Sequence, residues 1–263
     1  LIFFIKTIVI VIRGPARLAA FFGRIFVLII VAAYLFAAYS WLWDAGYRNP
    51  SLTERAGLQS SGVTADQLER VTQAFADKAN ELSSQVKRDA DGHFAEARSY
   101  YFALSKGVYA NIALEIPALG GAYHPPKAMI YSKLMSLTGF TGVYIALTGE
   151  ANVNVDAPGC LVPFTIAHEM AHQRGVHAEE EANFSGIAAC VTSNITVYEY
   201  SGYLSGLMYL SSALNEADPG AAQEILDTLS DGVRQDWGDN NKYWTEHETA
   251  ATEAVTAAYD SYL

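Results

Sequence analysis

An uncharged apolar stretch near the start of the chain constrains the fold more than any other feature. Residues 25–43 read IFVLIIVAAYLFAAYSWLW, and only Ser40 falls outside the apolar and aromatic set. A helix of roughly 20 such residues spans the ~30 Å hydrocarbon layer of a membrane. Tyr39, Trp41 and Trp43 stand at one end, where amphipathic rings favour the lipid–water interface. The sequence therefore predicts a transmembrane helix over residues 25–43, with membrane lipid as a partner.

The residues before this helix indicate its orientation. Residues 1–12 are also apolar but too short to span, and the chain does not begin with Met, so we expect a piece of a longer protein whose first helix is incomplete. The predicted loop 13–24 carries three Arg and no acid, which places it in the cytoplasm by the positive-inside rule. A secretory signal peptide is the rival interpretation. The length of the apolar run favours an anchor over residues 1–46, with the remainder outside the cytoplasm.

Charge separates this anchor from the rest of the chain. Residues 1–50 carry five basic residues and one acidic residue, a net charge of +4, whereas residues 51–263 carry a net charge of −15. Nucleic acid is excluded as a partner, because the basic charge lies outside the folded part. The polar stretch 47–62 is predicted to be a linker, and residues 63–263 are predicted to form a soluble domain.

The domain is predicted to be α+β and mostly helical. Thr64 and Gln67 form a capping box ahead of a helix that reaches about residue 86. Residues 139–155 are rich in Gly, Thr and β-branched side chains, which predicts one or two short strands around a turn. Apolar spacing predicts further helices at about 94–114, 127–137, 164–174, 178–196, 198–215, 219–230 and 240–260.

The segment most informative about function is His168-Glu169-Met170-Ala171-His172, an HExxH motif. Two His four residues apart on a helix lie on one face and can both reach a Zn²⁺ ion. Glu169 is placed to take a proton from water that zinc has acidified. The motif therefore predicts a zinc-dependent hydrolase with Glu169 as general base.

The surroundings of the motif support this interpretation. Apolar residues before and within the motif (Ile166, Ala167, Met170 and Ala171) predict a buried helix, where two His and a Glu need a role. Gly175 is expected to end that helix. The next predicted helix opens with acids at positions 179–181; acids there complement the helix dipole, but a three-ligand zinc site also needs one of them.

These residues carry a family resemblance. HExxH followed by Glu on the next helix, with Asn183 four residues after Glu179, resembles the gluzincin zinc peptidases. The runs TGVYIALTGEANVN, PFTIAHEMAHQRG, EEEANF and YSGYL resemble a bacterial family of membrane-anchored proteins of unknown function, predicted to be zinc peptidases. The resemblance covers nearly the whole chain, which we expect to stop before that family's usual end. It implies a zincin-like domain, with His168, His172 and Glu179 as zinc ligands.

The third ligand has alternatives. The gap from His172 to Glu179 is very short for a gluzincin, which leaves Glu180 or Glu181 open, and Glu181 fits the family pattern ExEAN. Spacing prefers Glu179, because Asn183 shares its helix face and can orient it.

Further roles stay open between several residues. One strand, 143–147 or 150–155, either pairs with an extended substrate or only completes a small sheet. Cys160 and Cys190 are either bridged or free. A hydrogen-bond donor to the transition state is also needed, and the candidates are Tyr203, Tyr198, His177, Tyr200 and Arg174.

The sequence thus predicts a membrane-anchored zinc metallopeptidase on the outer side of a bacterial cytoplasmic membrane, acting on a peptide or protein substrate. Two alternatives are kept. One is a non-catalytic envelope sensor or scaffold that binds zinc structurally, and the other is a hydrolase of a non-peptide amide in the cell wall. Four protein ligands would favour the structural role, and three with an open position would favour hydrolysis.

Overall fold

The computed structural model describes residues 15–47, 50–58, 61–249 and 252. These residues are mostly helical, with one small three-stranded sheet, which confirms the predicted mostly helical α+β composition. The chain divides into two units, residues 1–48 and residues 49–263.

The first unit contains helix α1 (Pro15–Tyr47). Within it, Ala19–Leu42 is long and apolar enough to cross a membrane, although a signal sequence passes the same test. The predicted loop over 13–24 is wrong from Pro15 onward, because the helix already begins there. Proline suits the first position of a helix, where its missing N–H has no partner to lose. The predicted partial helix over residues 1–12 lies outside the described residues.

The second unit holds most of the helices. In its described part these are α2 (Leu52–Ala56), α3 (Ala65–Ser83), α4 (Arg98–Leu104), α5 (Ile112–Glu115), α6 (Ser132–Leu137), α7 (Val162–His172), α8 (Glu179–Val191), α9 (Thr196–Ala217), α10 (Pro219–Asp227) and α11 (Asp231–His247). The capping box of Thr64 and Gln67 is confirmed at the start of α3. Helix α11 begins earlier than predicted, because the Ser230 hydroxyl accepts from the amide of Val233 and caps it.

Three stretches differ from their predictions. The predicted linker 47–62 contains α2, which Ser51 and Glu54 start with a reciprocal capping box. The predicted helix 94–114 is broken into α4, a 3₁₀ turn at Ser105–Gly107, and α5. The predicted helix 127–137 begins instead as a strand, β1 (Lys127–Ala128), and only then becomes α6.

The sheet consists of β1, β2 (Gly142–Ile145) and β3 (Glu150–Val153), in the order β1-β3-β2. The sequence predicted one or two strands within 139–155, and the structure has two, β2 and β3, which pair antiparallel with Gly142 opposite Val153 and Ile145 opposite Glu150. Strand β1 pairs parallel with the other side of β3. Strand β2 therefore forms one edge of the sheet.

Helix α9 packs against α3, α8, α10 and α7, and it supports the helices that carry the motif. Ile166, Ala167, Met170 and Ala171 of α7 are completely buried, as predicted for this helix. Cys160 and Cys190 are both buried and free, and burial raises the pKa of each thiol. The two cysteines are therefore not bridged.

Candidate metal centre

The two His of the HExxH motif face the same side of α7. Four residues span just over one helical turn, so the side chains of His168 and His172 lie one above the other. Their Nε2 atoms are 3.2 Å apart. Apart from Thr165 and Glu169, the other residues of this helix are apolar.

The end of α7 fixes the second imidazole. Gly175 has a φ of +74°, in the left-handed region that glycine adopts at little cost. The amide of Gly175 donates to His172 O and the amide of Val176 donates to Ala171 O, which is a Schellman ending. This turn brings the carbonyl of Val176 to 2.7 Å from His172 Nδ1. Because a carbonyl only accepts, Nδ1 donates and the lone pair of Nε2 is left for a metal.

Helix α8 brings the third donor. Glu179 is its first residue, and its carboxylate oxygens lie 3.2 Å from His168 Nε2 and 3.8 Å from His172 Nε2. His168, His172 and Glu179 therefore form a cluster that could hold a metal ion. One donor atom from each residue lies within 4.8 Å of the other two.

The donor set fits zinc. Two imidazole nitrogens and a carboxylate oxygen are a common catalytic zinc set, and bonds of about 2.0–2.1 Å in a tetrahedron separate such donors by roughly 3.3 Å. His168 Nε2 lies 3.2 Å from His172 Nε2 and 3.2 Å from one oxygen of Glu179, and the other oxygen of Glu179 lies 3.8 Å from His172 Nε2, so each pair of side chains approaches that value. Nδ1 of His168 and Oε2 of Glu169 are buried and lack a hydrogen-bond partner in the described part of the chain. Three protein donors leave one tetrahedral position open.

Burial and mutual charge shift every ionisable group of α7. Burial lowers the pKa of His168, but the Glu179 carboxylate and the Glu169 charge raise it above its ordinary value overall. Burial and the neighbouring His168 lower the pKa of His172 to about 4. Burial raises the pKa of Glu169 to about 8. A cation held by the three donors would favour neutral imidazoles and an ionised Glu169.

Strand β2 lies directly over the motif. A Cβ atom built on Gly142 would be 2.3 Å from Oε1 of Glu169, so only glycine fits there without displacing the carboxylate. Two residues along, on the same face of the strand, the ring of Tyr144 stacks on His172 with centroids 6.1 Å apart. The edge of the sheet therefore borders both Glu169 and the metal donors.

The chain matches, over residues 1–263, a family described as "Protein of unknown function (DUF3810)". It belongs to this family. The coarser part of the resemblance inferred from the sequence, a family of unknown function that spans the chain, is thereby confirmed. No curated protein and no solved structure matches this DUF3810 member.

The alternative third ligand of this DUF3810 protein is engaged elsewhere. The carboxylate of Glu181 accepts hydrogen bonds from the amides of Leu52 and Thr53 at the start of α2. Residues two apart on a helix point to different sides, so Glu179 and Glu181 cannot both face the imidazoles. Glu180 is exposed to solvent. Asn183 lies on the face of Glu179, as predicted, and its side chain contributes to the raised pKa of His168.

Two of the predicted transition-state donors, Tyr198 and Tyr203, are not brought to the candidate metal donors. The hydroxyl of Tyr198 is buried and donates to the carbonyl of Tyr101, and Tyr203 packs edge-on against Phe75 of α3. Among the described contacts, neither tyrosine has a hydrogen bond or ring contact with the motif. His177 lies near His172 and Arg55, and burial followed by the Arg55 charge lowers the pKa of His177.

Three residues beside the site were not predicted: Gly142, Tyr144 and Tyr209. Tyr209 of α9 contacts Phe164 edge-on, and Phe164 in turn contacts the ring of His168. Burial raises the pKa of Tyr209, and the Glu179 charge raises it further. Tyr144 and Gly142 lie within a stretch that the sequence predicted to contain a strand. The residues of that stretch do not indicate which face of the strand lies against α7. Tyr209 had no distinguishing signal among 16 tyrosines.

Proposed function

We propose that this protein is a membrane-anchored, zinc-dependent peptidase with a zincin-like domain. The observation that carries the proposal is the convergence of His168 Nε2, His172 Nε2 and a Glu179 carboxylate oxygen beside the buried carboxyl group of Glu169. Two imidazoles and one carboxylate leave an open position, which is typical of catalytic rather than structural zinc sites.

Each residue then has a defined task. When bound, zinc is a Lewis acid that polarises a carbonyl group and lowers the pKa of water. His168, His172 and Glu179 hold the ion, and the Val176 carbonyl keeps His172 in the tautomer that can do so. Glu169 takes the proton from the attacking water and passes it to the amide nitrogen as the C–N bond breaks.

The sheet edge favours a peptide as substrate over other amides. Strand β2 is paired on one side only within the described sheet, and its Gly142 lies against Glu169. An extended peptide that adds to this edge would run past the general base and the open metal position. A non-peptide amide would make no use of the exposed row of main-chain groups. We therefore assign β2, rather than the central strand β3, as the substrate-binding strand.

The location is part of the same proposal. The uncharged residues 25–42 of the helix Ala19–Leu42 would anchor the protein, and the Arg residues before residue 25 would lie on the cytoplasmic side. The acidic remainder of the chain, with the metal centre, would then act outside the cytoplasmic membrane of a bacterium. Proteins or peptides of the envelope would be its substrates.

Metal analysis tests the site directly. We expect about one equivalent of zinc per purified chain, and we expect His168→Ala to lose it because two donors seldom hold zinc alone. His124→Ala is the control, since His124 is exposed and far along the chain from the motif. Wild-type protein that contains no zinc, and takes up none on addition, would contradict the proposed metal site.

A second prediction concerns Tyr209, which we propose as the donor to the transition-state oxyanion. Tyr209 is 51% exposed, its ring contacts Phe164, which contacts the ring of His168, and the Glu179 charge acts on its hydroxyl. Tyr209→Phe keeps the ring and removes the hydroxyl, and we expect kcat to fall about 10²-fold with little change in KM. Tyr203→Phe, on the same helix but packed on Phe75, should retain wild-type kcat. Equal kcat values for the two variants would exclude Tyr209 as the donor.

A further inference from the structure

Helix α2 is hydrogen-bonded to α8, the helix that carries the third candidate metal donor. The Glu181 carboxylate accepts from the amide of Leu52 at 2.7 Å, and from the amide and the hydroxyl of Thr53, both at 2.8 Å. Glu181 lies in the same first turn of α8 as Glu179. The N-cap position of α8, Ala178, provides no side-chain cap of its own. The start of α8 is therefore held in place largely from outside the helix.

The same short helix also holds the segment that orients His172. The guanidinium of Arg55 donates from Nη2 to the carbonyl of Gly175 at 3.0 Å. The next residue, Val176, is 1% exposed and provides the carbonyl that fixes Nδ1 of His172. A displacement of Gly175 would move the Val176 carbonyl with it, because the two residues share one tight turn.

These contacts are anchored in the core. Leu52 is 1% exposed and belongs to the same buried cluster as Ile166 and Met170 of α7. Arg55, at the other end of α2, is exposed to solvent, and its guanidinium donates a hydrogen bond to the loop after α7. Helix α2 thus contacts both segments that meet at the metal donors, the loop after α7 and the first turn of α8.

We propose that α2 is a clasp whose residues Thr53 and Arg55, together with Glu181, position the metal donors without touching the metal. The clasp holds Glu179 and His172 at the separation that a single ion requires, so its loss weakens metal binding. This inference rests on the metal site of the proposed function. It goes beyond that function because it places control of metal affinity in residues 51–56, which follow the apolar helix Pro15–Tyr47 along the chain.

The test is the zinc affinity of the full chain in detergent, measured by competition with a chromophoric chelator. Glu181→Ala removes the acceptor of three hydrogen bonds, and we expect zinc to bind about 10-fold more weakly. Glu180→Ala is the matched control, one residue away and exposed, and it should bind zinc as the wild type does. Arg55→Ala alters an exposed side chain, and it should also weaken zinc binding. It provides the test if Glu181→Ala does not fold.

Cobalt distinguishes positioning from general stability. Co²⁺ in place of Zn²⁺ gives visible absorption bands that depend on the arrangement of the donors. Altered bands in Glu181→Ala or Arg55→Ala, with wild-type bands in Glu180→Ala, would support the clasp. Wild-type zinc affinity and wild-type bands in both clasp variants would overturn it. Wild-type protein that binds neither metal would instead overturn the proposed metal site, so the two failures are distinguishable.

Discussion

Replacing Glu169 with glutamine is expected to reduce peptide cleavage about 10²- to 10⁴-fold while about one equivalent of zinc stays bound. The metal donors His168, His172 and Glu179 are unchanged in this variant, and the amide has nearly the volume of the carboxylic acid. Glutamine cannot accept a proton from water at neutral pH. The loss should therefore appear in kcat, as expected for an interaction that acts in the transition state.

The measurement pairs initial rates on a peptide library with zinc analysis of the same preparation. Glu180→Gln, an exposed neighbour of the site in the next helix, is the control for a lost negative charge. Cleavage by Glu169→Gln at the wild-type rate, with zinc bound, would exclude Glu169 as the general base. Zinc binding without cleavage of any peptide by the wild type would instead favour the non-catalytic sensor or scaffold.

The parts of the site that the sequence could predict are those set by local spacing. The separation of four residues between His168 and His172 places both imidazoles on one helix face. Gly175 predicts the end of that helix, because the Schellman ending favours glycine in the left-handed conformation. Asn183 pointed to Glu179 rather than Glu181 through the same helical period. Each inference needs only a few consecutive residues.

The parts that the sequence could not predict depend on contacts between distant residues. The hydrogen bond that the Leu52 amide donates to Glu181 joins residues 129 positions apart in the sequence. Nothing in the polar stretch 47–62 predicts that this stretch has a buried partner. Strand β1 has only two residues, too few for a period-2 pattern, and it exists because β3 pairs with it. The predicted single helix over 94–114 was wrong because tertiary packing overrides helix propensity. The chain forms a 3₁₀ turn at Ser105–Gly107 between α4 and α5.

Gly142 has both a local signal and a distant contact. Glycine in a strand often marks the close approach of another group, and here that group is Glu169. The φ of Gly142 is not in the left-handed region, so its small size rather than its backbone freedom is what this position requires. An added Cβ would lie 2.3 Å from Oε1 and 2.7 Å from Cδ and Cγ of Glu169. Glu169 is only 3% exposed and has little space in which to retreat.

Gly142→Ala is therefore expected to lower kcat about 10²-fold, because either the carboxylate or β2 must move by roughly 1 Å or more. Zinc should stay bound, since the atoms nearest to the added methyl group belong to Glu169 and not to one of the three donors. Gly121→Ala is the control: its Cβ would lie 3.6 Å from Cγ of Arg174, an ordinary van der Waals contact. Wild-type kcat in folded, zinc-loaded Gly142→Ala would show that β2 does not confine Glu169, and it would remove the basis for assigning this strand to the substrate.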